Sequence, residues 1–150
     1  MSARVARAEI SSDERVAAAL AHALIIVQTV GIIGAALIWL LQKDKSPYVA
    51  RHALQAVAYQ FAGLLLWLGA FFLYMIVIFG GMGFLTMLRP REPSGVVFPL
   101  FFSLPMCLIF LLWGLLILYG LYAAYVALQG REFRYVIIGP LVERFLSSTR

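Results

Sequence analysis

Three long stretches without a charged residue dominate the chain, at residues 16–41, 53–88 and 96–128. A helix needs about 20 apolar residues to cross the hydrocarbon core of a bilayer. Each stretch is long enough for one such helix, and none is long enough for two helices with a turn between them. The pattern therefore predicts an all-α membrane protein with three transmembrane helices, at about residues 16–41, 53–79 and 98–128.

Polar residues in front of the first two stretches predict where the helices begin. Ser11 and Glu14 have the spacing of a capping box, in which each side chain bonds to a free backbone N–H of the other residue. A polar N-terminal tail, residues 1–15, therefore leads into the first helix. Ser46 followed by Pro47 is typical of a helix start, with serine as the cap and proline in the first turn.

Glycines and prolines predict where the later elements end. The glycine-rich residues 80–83 are expected to end the second helix, and residues 89–95 have the composition of a solvated loop. Gly130 is a natural C-terminal cap for the third helix. In the C-terminal tail, residues 129–150, the apolar and charged side chains of residues 141–146 fall on opposite faces. They predict a short helix lying on the membrane surface.

The short polar turn after residue 41 makes the first two spans an antiparallel hairpin. Gln28 and Gln60 both lie about 20 Å from this turn along straight helices. We therefore expect a hydrogen bond between the two amides, or one shared with Tyr59, inside the membrane. The alternative is that each amide bonds the backbone of its own helix.

Four polar or aromatic residues of the second helix recur at i, i+4, i+7 and i+11, and so share one face: Tyr48, His52, Gln55 and Tyr59. This stripe is the candidate functional surface. It is expected to hold the turn against the C-terminal tail, with Glu132 contacting Arg51 or His52. Alternatively, the stripe lines a polar path after oligomerisation, or Arg51 and His52 contact a lipid headgroup or the edge of a quinone.

Composition narrows the class of partner. The chain is 63% hydrophobic and 13% charged, against about 45–50% and 25% in soluble proteins. Its net charge of +5 is dispersed over ends and turns, so we expect anionic lipid rather than nucleic acid as the partner of these charges.

With three spans, seven basic residues lie on the side of the turn and the C-terminus and five on the other. The positive-inside rule then predicts a multi-pass protein of the cytoplasmic membrane, with the N-terminus outside and the C-terminus in the cytoplasm.

The predicted spans contain few side chains that could take part in catalysis or bind a metal ion. They contain no Asp, Glu, Lys or Arg, although such residues mark most membrane active sites. Along straight helices His22 would lie roughly 30 Å from the turn that carries His52, so the two histidines are expected at opposite faces of the membrane. We therefore predict no catalytic residues, no metal site and no cofactor.

Several short motifs resemble those of a known family. Residues 43–49, KDKSPYV, followed by His52 and Gln55-Ala56, resemble the core motif of bacterial small membrane proteins of unknown function. That Tic-twenty-like family is similar to the channel subunit of the chloroplast inner-envelope import translocon. Flanking matches are Ala21-His22 and residues 130–135. The resemblance covers about residues 16–140 and implies a helical membrane protein, with translocation as the role of the plastid relatives.

The favoured function is a non-catalytic accessory or assembly subunit of a larger membrane complex. It follows from three helices that have small residues at packing positions and no reactive groups. The implied partners are the lipid bilayer and either other membrane-protein subunits or further copies of the chain. The alternative function is a component of an oligomeric transporter or channel.

Overall fold

The structure is a computed structural model, and it describes residues 10–88 and 97–148. All the regular elements in these ranges are helical, which confirms the all-α fold class. They are α1 (Ser12–Ala23), a 3-10 turn (Leu24–Val27), α2 (Thr29–Gln42), α3 (Pro47–Leu88), α4 (Val97–Leu128) and α5 (Ile138–Ser148). The expected loop at 89–95 and residues 1–9 of the expected N-terminal tail lie outside the described residues.

The chain divides into two compact units. The first comprises Met1–Phe61 and Tyr119–Arg150, and the second comprises Ala62–Leu118. The first unit therefore holds α1, α2 and α5 with the beginning of α3 and the end of α4.

The expected capping box is present at the start of α1. The Glu14 amide donates to Ser11 Oγ at 3.2 Å, and the Ser11 amide donates to Glu14 Oε2 at 2.8 Å. The Ser46 cap of α3 is also present, since the Val49 amide donates to Ser46 Oγ at 3.3 Å. Both helix starts were therefore readable from local sequence, because a cap depends only on residues within one turn.

The continuous helix expected over residues 16–41 does not form. α1 ends at Ala23, the 3-10 turn follows, and Gln28 adopts φ 52° and ψ −121°. A positive φ is unusual for a residue other than glycine, and here it reverses the chain direction. Gly31 then packs so closely on the turn that a Cβ there would collide with the Leu24 carbonyl oxygen.

α1 and α2 thus form an antiparallel helical hairpin. Ala21 of α1 and Ala35 of α2 lie in the same buried cluster, and Ile38 packs with Ala17 and Ala23 around a neighbouring one. The two helices have 12 and 14 residues, about 18 and 21 Å at 1.5 Å per residue. Each is shorter than the roughly 30 Å hydrocarbon core. The first expected span is therefore two short helices that double back.

Two helices in the described ranges are long and apolar enough to cross a membrane, Pro47–Phe84 and Pro99–Leu128. Their most apolar windows are 11% and 0% buried, respectively. A core helix of a soluble protein would be mostly buried, whereas these helices expose leucine, isoleucine and phenylalanine on most of their surface. Such surfaces fit lipid, so the chain is a membrane protein.

Small residues hold the helices of the first unit close together. One buried cluster joins α1, α3 and α4, and a second joins α1, α2 and α3. Alanines dominate both: Ala18, Ala19, Ala124 and Ala127 in the first, and Ala21, Ala35, Ala53 and Ala56 in the second. Alanine lets backbones approach, so that dispersion contacts stabilise helix packing where lipid offers no hydrophobic gain.

The second unit is an antiparallel pair made by the rest of α3 and α4. Tyr74 Oη donates to the Phe102 carbonyl at 3.3 Å, and a Cβ on Gly81 would meet the Phe101 ring. The expected end of the second helix near residue 79 is wrong, because α3 continues through its glycines to Leu88. Glycine permits a helix end but does not impose one. In an apolar environment an early end would leave backbone groups without partners.

Gly130 ends α4 as expected. It has φ 71°, its amide donates to the Ala127 carbonyl, and the Arg131 amide donates to the Val126 carbonyl. This is a Schellman arrangement, which turns the chain sharply. The next residues, 131–135, have no helical structure and run back over the first unit as the tail segment. α5 follows and is longer than the helix expected over 141–146.

Candidate functional site

Two histidines and a tyrosine form a buried hydrogen-bonded chain in the first unit. His22 Nδ1 lies 3.1 Å from Tyr135 Oη, and His22 Nε2 lies 3.1 Å from His52 Nδ1. The residues are 1%, 2% and 3% exposed for His22, Tyr135 and His52. They come from α1, the tail segment and α3, so this histidine cluster joins three separate parts of the chain.

The cluster corrects the expectation that the histidines lie at opposite faces of the membrane. That expectation assumed one straight helix over residues 16–41. Because the chain reverses at Gln28, α1 lies beside the start of α3 instead of pointing away from it. A hydrogen bond between two ring nitrogens needs one donor and one acceptor, so His22 and His52 cannot both be imidazolium cations with a proton on each ring nitrogen.

The stripe on α3 is the surface on which the tail segment docks. All four of its residues are buried, between 3% and 7% exposed. Tyr48 Oη donates to the carbonyl of Ala127, at the end of α4, over 2.8 Å. The same hydroxyl lies 3.3 Å from the Arg131 carbonyl. Gln55 Oε1 accepts from the Tyr135 amide at 3.4 Å.

Tyr135 is the centre of an aromatic cluster. Its ring stacks on Tyr59, with centroids 4.1 Å apart and planes 9° apart, and meets Tyr119 and Phe133 edge to face. Offset stacking and edge-to-face contacts each add about 0.5–1.5 kcal/mol beyond burial. Burial, followed by the nearby Tyr59 and Tyr119 hydroxyls, raises the pKa of Tyr135, so its hydroxyl keeps its proton and can donate it to His22.

Two ion pairs flank the tail segment. Arg51 Nη2 lies 2.7 Å from Glu132 Oε1, which is the contact between α3 and the tail that the sequence suggested. Arg134 Nη2 lies 2.7 Å from Glu143 Oε2, an ion pair that we did not anticipate. The four side chains are between 45% and 71% exposed. Each pair therefore contributes at most about 1 kcal/mol to stability.

A cavity of about 130 Å³ opens between α3, the tail segment and α5. Both ion pairs border it, and the buried stripe residues His52 and Gln55 also line it. The lining residues are Arg51, His52, Gln55, Glu132, Phe133, Arg134 and Glu143. All of them belong to the first unit.

The two glutamines expected to bond each other have different surroundings. Gln60 Nε2 donates to the Ala21 carbonyl at 2.9 Å. Its Oε1 is buried and has no hydrogen-bond partner among the described residues, and it lies against Gly31. Gln28 occupies the chain reversal. Gln60 thus bonds α3 to the last turn of α1. This contact was not predicted, because the depth estimate assumed one straight helix over residues 16–41.

Two members of the site, His22 and Tyr135, were not predicted from the sequence. Each stood in a short motif that the resemblance had singled out, Ala21-His22 and residues 130–135. Their meeting depends on the reversal at Gln28 and on the turn at Gly130, so spacing alone did not connect them. Within residues 10–88 and 97–148, no three His, Cys, Asp or Glu side chains converge as metal ligands.

Comparison with known proteins corrects the family. A search of the curated proteins and a search of the solved structures find no match. The family model that matches is the magnetosome magnetite crystal formation protein family, MamF/MmsF, over residues 13–142. The expected Tic-twenty-like membership is therefore wrong, since it relied on a few short motifs around His52. The match includes α1 to α4, the tail segment and the whole histidine cluster, so the chain belongs to the magnetosome magnetite crystal formation protein family.

Proposed function

We propose that this chain is a small, non-catalytic integral membrane protein that supports magnetite crystal formation in a magnetosome membrane, as an accessory or assembly element. The observation that carries this proposal is the family match, which extends over residues 13–142. The family is one of magnetite crystal formation, and the two long apolar helices support attachment to a membrane.

The arrangement of polar groups supports an assembly role over a catalytic one. The stripe and the histidine cluster bond to each other and to the backbone of α4 and the tail segment. Such a network fixes the shape of the first unit. The apolar faces of α3 and α4 remain available for lipid, for other membrane subunits or for further copies of the chain.

The proposed topology has two spans and one re-entrant hairpin in place of three spans. α3 and α4 cross the bilayer in opposite directions, and the α1–α2 hairpin enters and leaves on a single side. This side then carries the start of α1, the turn at residues 43–46 and the tail segment. Seven described basic residues lie there, whereas the sequence between α3 and α4 contributes Arg89 and Arg91. The positive-inside rule favours the cytoplasm for the side with seven.

In the alternative function, an oligomeric channel or transporter component, the stripe lines a polar path. The burial of Tyr48, His52, Gln55 and Tyr59 beneath the tail segment and α4 removes the surface that motivated it. No other feature of the described residues favours this alternative.

Deletion of the gene in a magnetite-forming host tests the proposal. Crystal number and length in each cell are measured by electron microscopy in the deletion strain, and again after complementation with the wild-type chain. The proposal predicts smaller or misshapen crystals that the wild-type chain restores. Unaltered crystals in the deletion strain would contradict it. Purification of the tagged chain in mild detergent then identifies whether other membrane subunits accompany it.

A further inference from the structure

The geometry points to a phosphate-binding site in the cavity of about 130 Å³ between α3, the tail segment and α5. The ligand would be a phosphate ester, supplied either by a phospholipid headgroup or by a free phosphate compound. A cavity of this size accommodates several water molecules, and so a group as large as phosphate. This binding function is separate from the proposed role in crystal formation.

Two buried side chains present hydrogen-bond donors to the cavity. Gln55 is 5% exposed, and its Oε1 accepts from the Tyr135 amide, which fixes the orientation of its side-chain amide. Its Nε2 therefore faces the remaining space, which is the cavity that it lines. His52 is 3% exposed and uses only Nδ1 in its contact with His22. Neither Gln55 Nε2 nor His52 Nε2 has a partner within residues 10–88 and 97–148.

The histidine cluster determines which tautomer His52 adopts. Tyr135 Oη lies in a buried position where His22 Nδ1 is its only hydrogen-bond partner among the described residues. Tyr135 must therefore donate to His22, because otherwise its proton would have no acceptor. His22 then donates from Nε2 to His52 Nδ1, which leaves the proton of His52 on Nε2. The cluster thus presents an N–H, rather than a lone pair, to the cavity.

This polarity favours an anion over a metal ion. A metal ion would need the lone pair of His52 Nε2, which requires the opposite tautomer in both rings and leaves the Tyr135 proton unbonded. An anion instead accepts directly from His52 Nε2 and Gln55 Nε2. Arg51 and Arg134 at the border supply further donors, since each uses a single Nη2 atom in its ion pair.

The charge of the rim favours a zwitterionic ligand. Arg51 and Arg134 are balanced by Glu132 and Glu143, so the four rim charges cancel. A phosphodiester with an adjacent ammonium group suits such a rim, because the phosphate meets the donors while the ammonium meets a carboxylate. A free phosphate dianion would lack the second contact. Phosphatidylethanolamine has this combination of charges, and the site lies at the start of the apolar helix α3, where headgroups would be in reach.

Titration of the full chain in detergent micelles tests the site. The probes are short-chain phosphatidylethanolamine, short-chain phosphatidylglycerol and inorganic phosphate, and the readouts are the dissociation constant and the ¹⁵N resonances of His52 Nε2 and Gln55 Nε2. We expect phosphatidylethanolamine to bind most tightly and to shift both resonances. Binding of inorganic phosphate alone would support the site with a free phosphate compound as its ligand. No shift of either resonance with any of the three probes would overturn it.

Matched variants locate the bound group. Arg134→Gln and Gln55→Met each remove a donor, and we expect each to weaken binding about tenfold, as loss of a charge-assisted hydrogen bond does. Arg131→Gln removes an exposed arginine of the same tail segment that does not line the cavity, and should leave the affinity unchanged. Arg134 is 54% exposed, so its variant should fold even if Gln55→Met does not. Unchanged affinity in Arg134→Gln would overturn the site.

Discussion

His22 Nε2 lies 3.1 Å from His52 Nδ1, although 30 positions and a full reversal of the chain separate the two residues. The contact depends on the backbone of Gln28, which turns α1 back beside α3. Tyr135 then closes the cluster from the tail segment. A local backbone feature with no glycine or proline thus brings together the most deeply buried polar side chains of the first unit.

The α1–α2 hairpin depends on the absence of a side chain at Gly31. In Gly31→Ala the new Cβ collides with the Leu24 carbonyl oxygen, a backbone atom that cannot rotate away. We expect a loss of about 1–3 kcal/mol in the free energy of unfolding, as for other overpacked positions. Denaturant unfolding in detergent, followed by circular dichroism, measures it. The control is Gly69→Ala in α3, where a Cβ meets nothing within 4 Å; equal stability of the two variants would count against the hairpin.

The Tyr135 hydroxyl stabilises the histidine cluster. Tyr135→Phe keeps the stacked ring but leaves His22 Nδ1 buried without its partner. The expected cost is about 1–3 kcal/mol of unfolding free energy, the penalty for an unsatisfied buried polar atom. The matched control is Tyr122→Phe, since Tyr122 is 56% exposed and its ring contact with Phe133 survives. A Tyr135→Phe variant as stable as this control would show that the hydrogen bond does not form.

The ion pair of Arg51 and Glu132 should contribute little, despite its 2.7 Å distance. Both side chains are largely exposed, so solvent screens their attraction. A double-mutant cycle with Arg51→Gln and Glu132→Gln is expected to give a coupling energy below about 1 kcal/mol. A much larger coupling would mean that lipid or another subunit removes the pair from water.

Both histidines are expected to carry their proton on Nε2. The chain has two histidines, so a ¹⁵N-histidine-labelled sample gives a simple spectrum, and His52→Gln assigns it. We expect the Nε2 atoms of both rings to show the shift of a protonated nitrogen and the Nδ1 atoms that of an acceptor. A protonated Nδ1 on either ring would reverse the direction of the hydrogen-bonded chain and remove the donor assigned to the cavity.

Local signals in the sequence were sufficient for several features. The caps at Ser11 and Ser46 and the turn at Gly130 each involve residues within one helical turn, so short motifs predicted them. The helical period on α3 likewise identified the stripe, and the return of the tail suggested the contact between Arg51 and Glu132. These features do not depend on how distant helices are placed.

The remaining features depended on tertiary structure. Residues 24–28 read as a continuation of an apolar helix, since they contain neither glycine nor proline. Where the chain reverses at Gln28, Gly31 packs closely on Leu24. The hydrophobic pattern of the sequence does not reveal this contact, because it forms only after the chain has turned back. The glycines at 80–83 predicted a helix end, but α3 continues through them to Leu88, because glycine permits a helix end without requiring one. The histidine cluster and the cavity followed from the reversal and could not be placed without it.

Labelling of single cysteines in sealed vesicles tests the fold-back of α1 most directly. In a Cys107→Ser background, Ser12→Cys, Lys45→Cys and Ser94→Cys are each treated with a membrane-impermeant maleimide before and after the membrane is permeabilised. A re-entrant hairpin predicts that positions 12 and 45 react from the same side and position 94 from the opposite side. Labelling of positions 12 and 45 from opposite sides would mean that residues 16–41 cross the membrane, and would contradict the hairpin and the histidine cluster together.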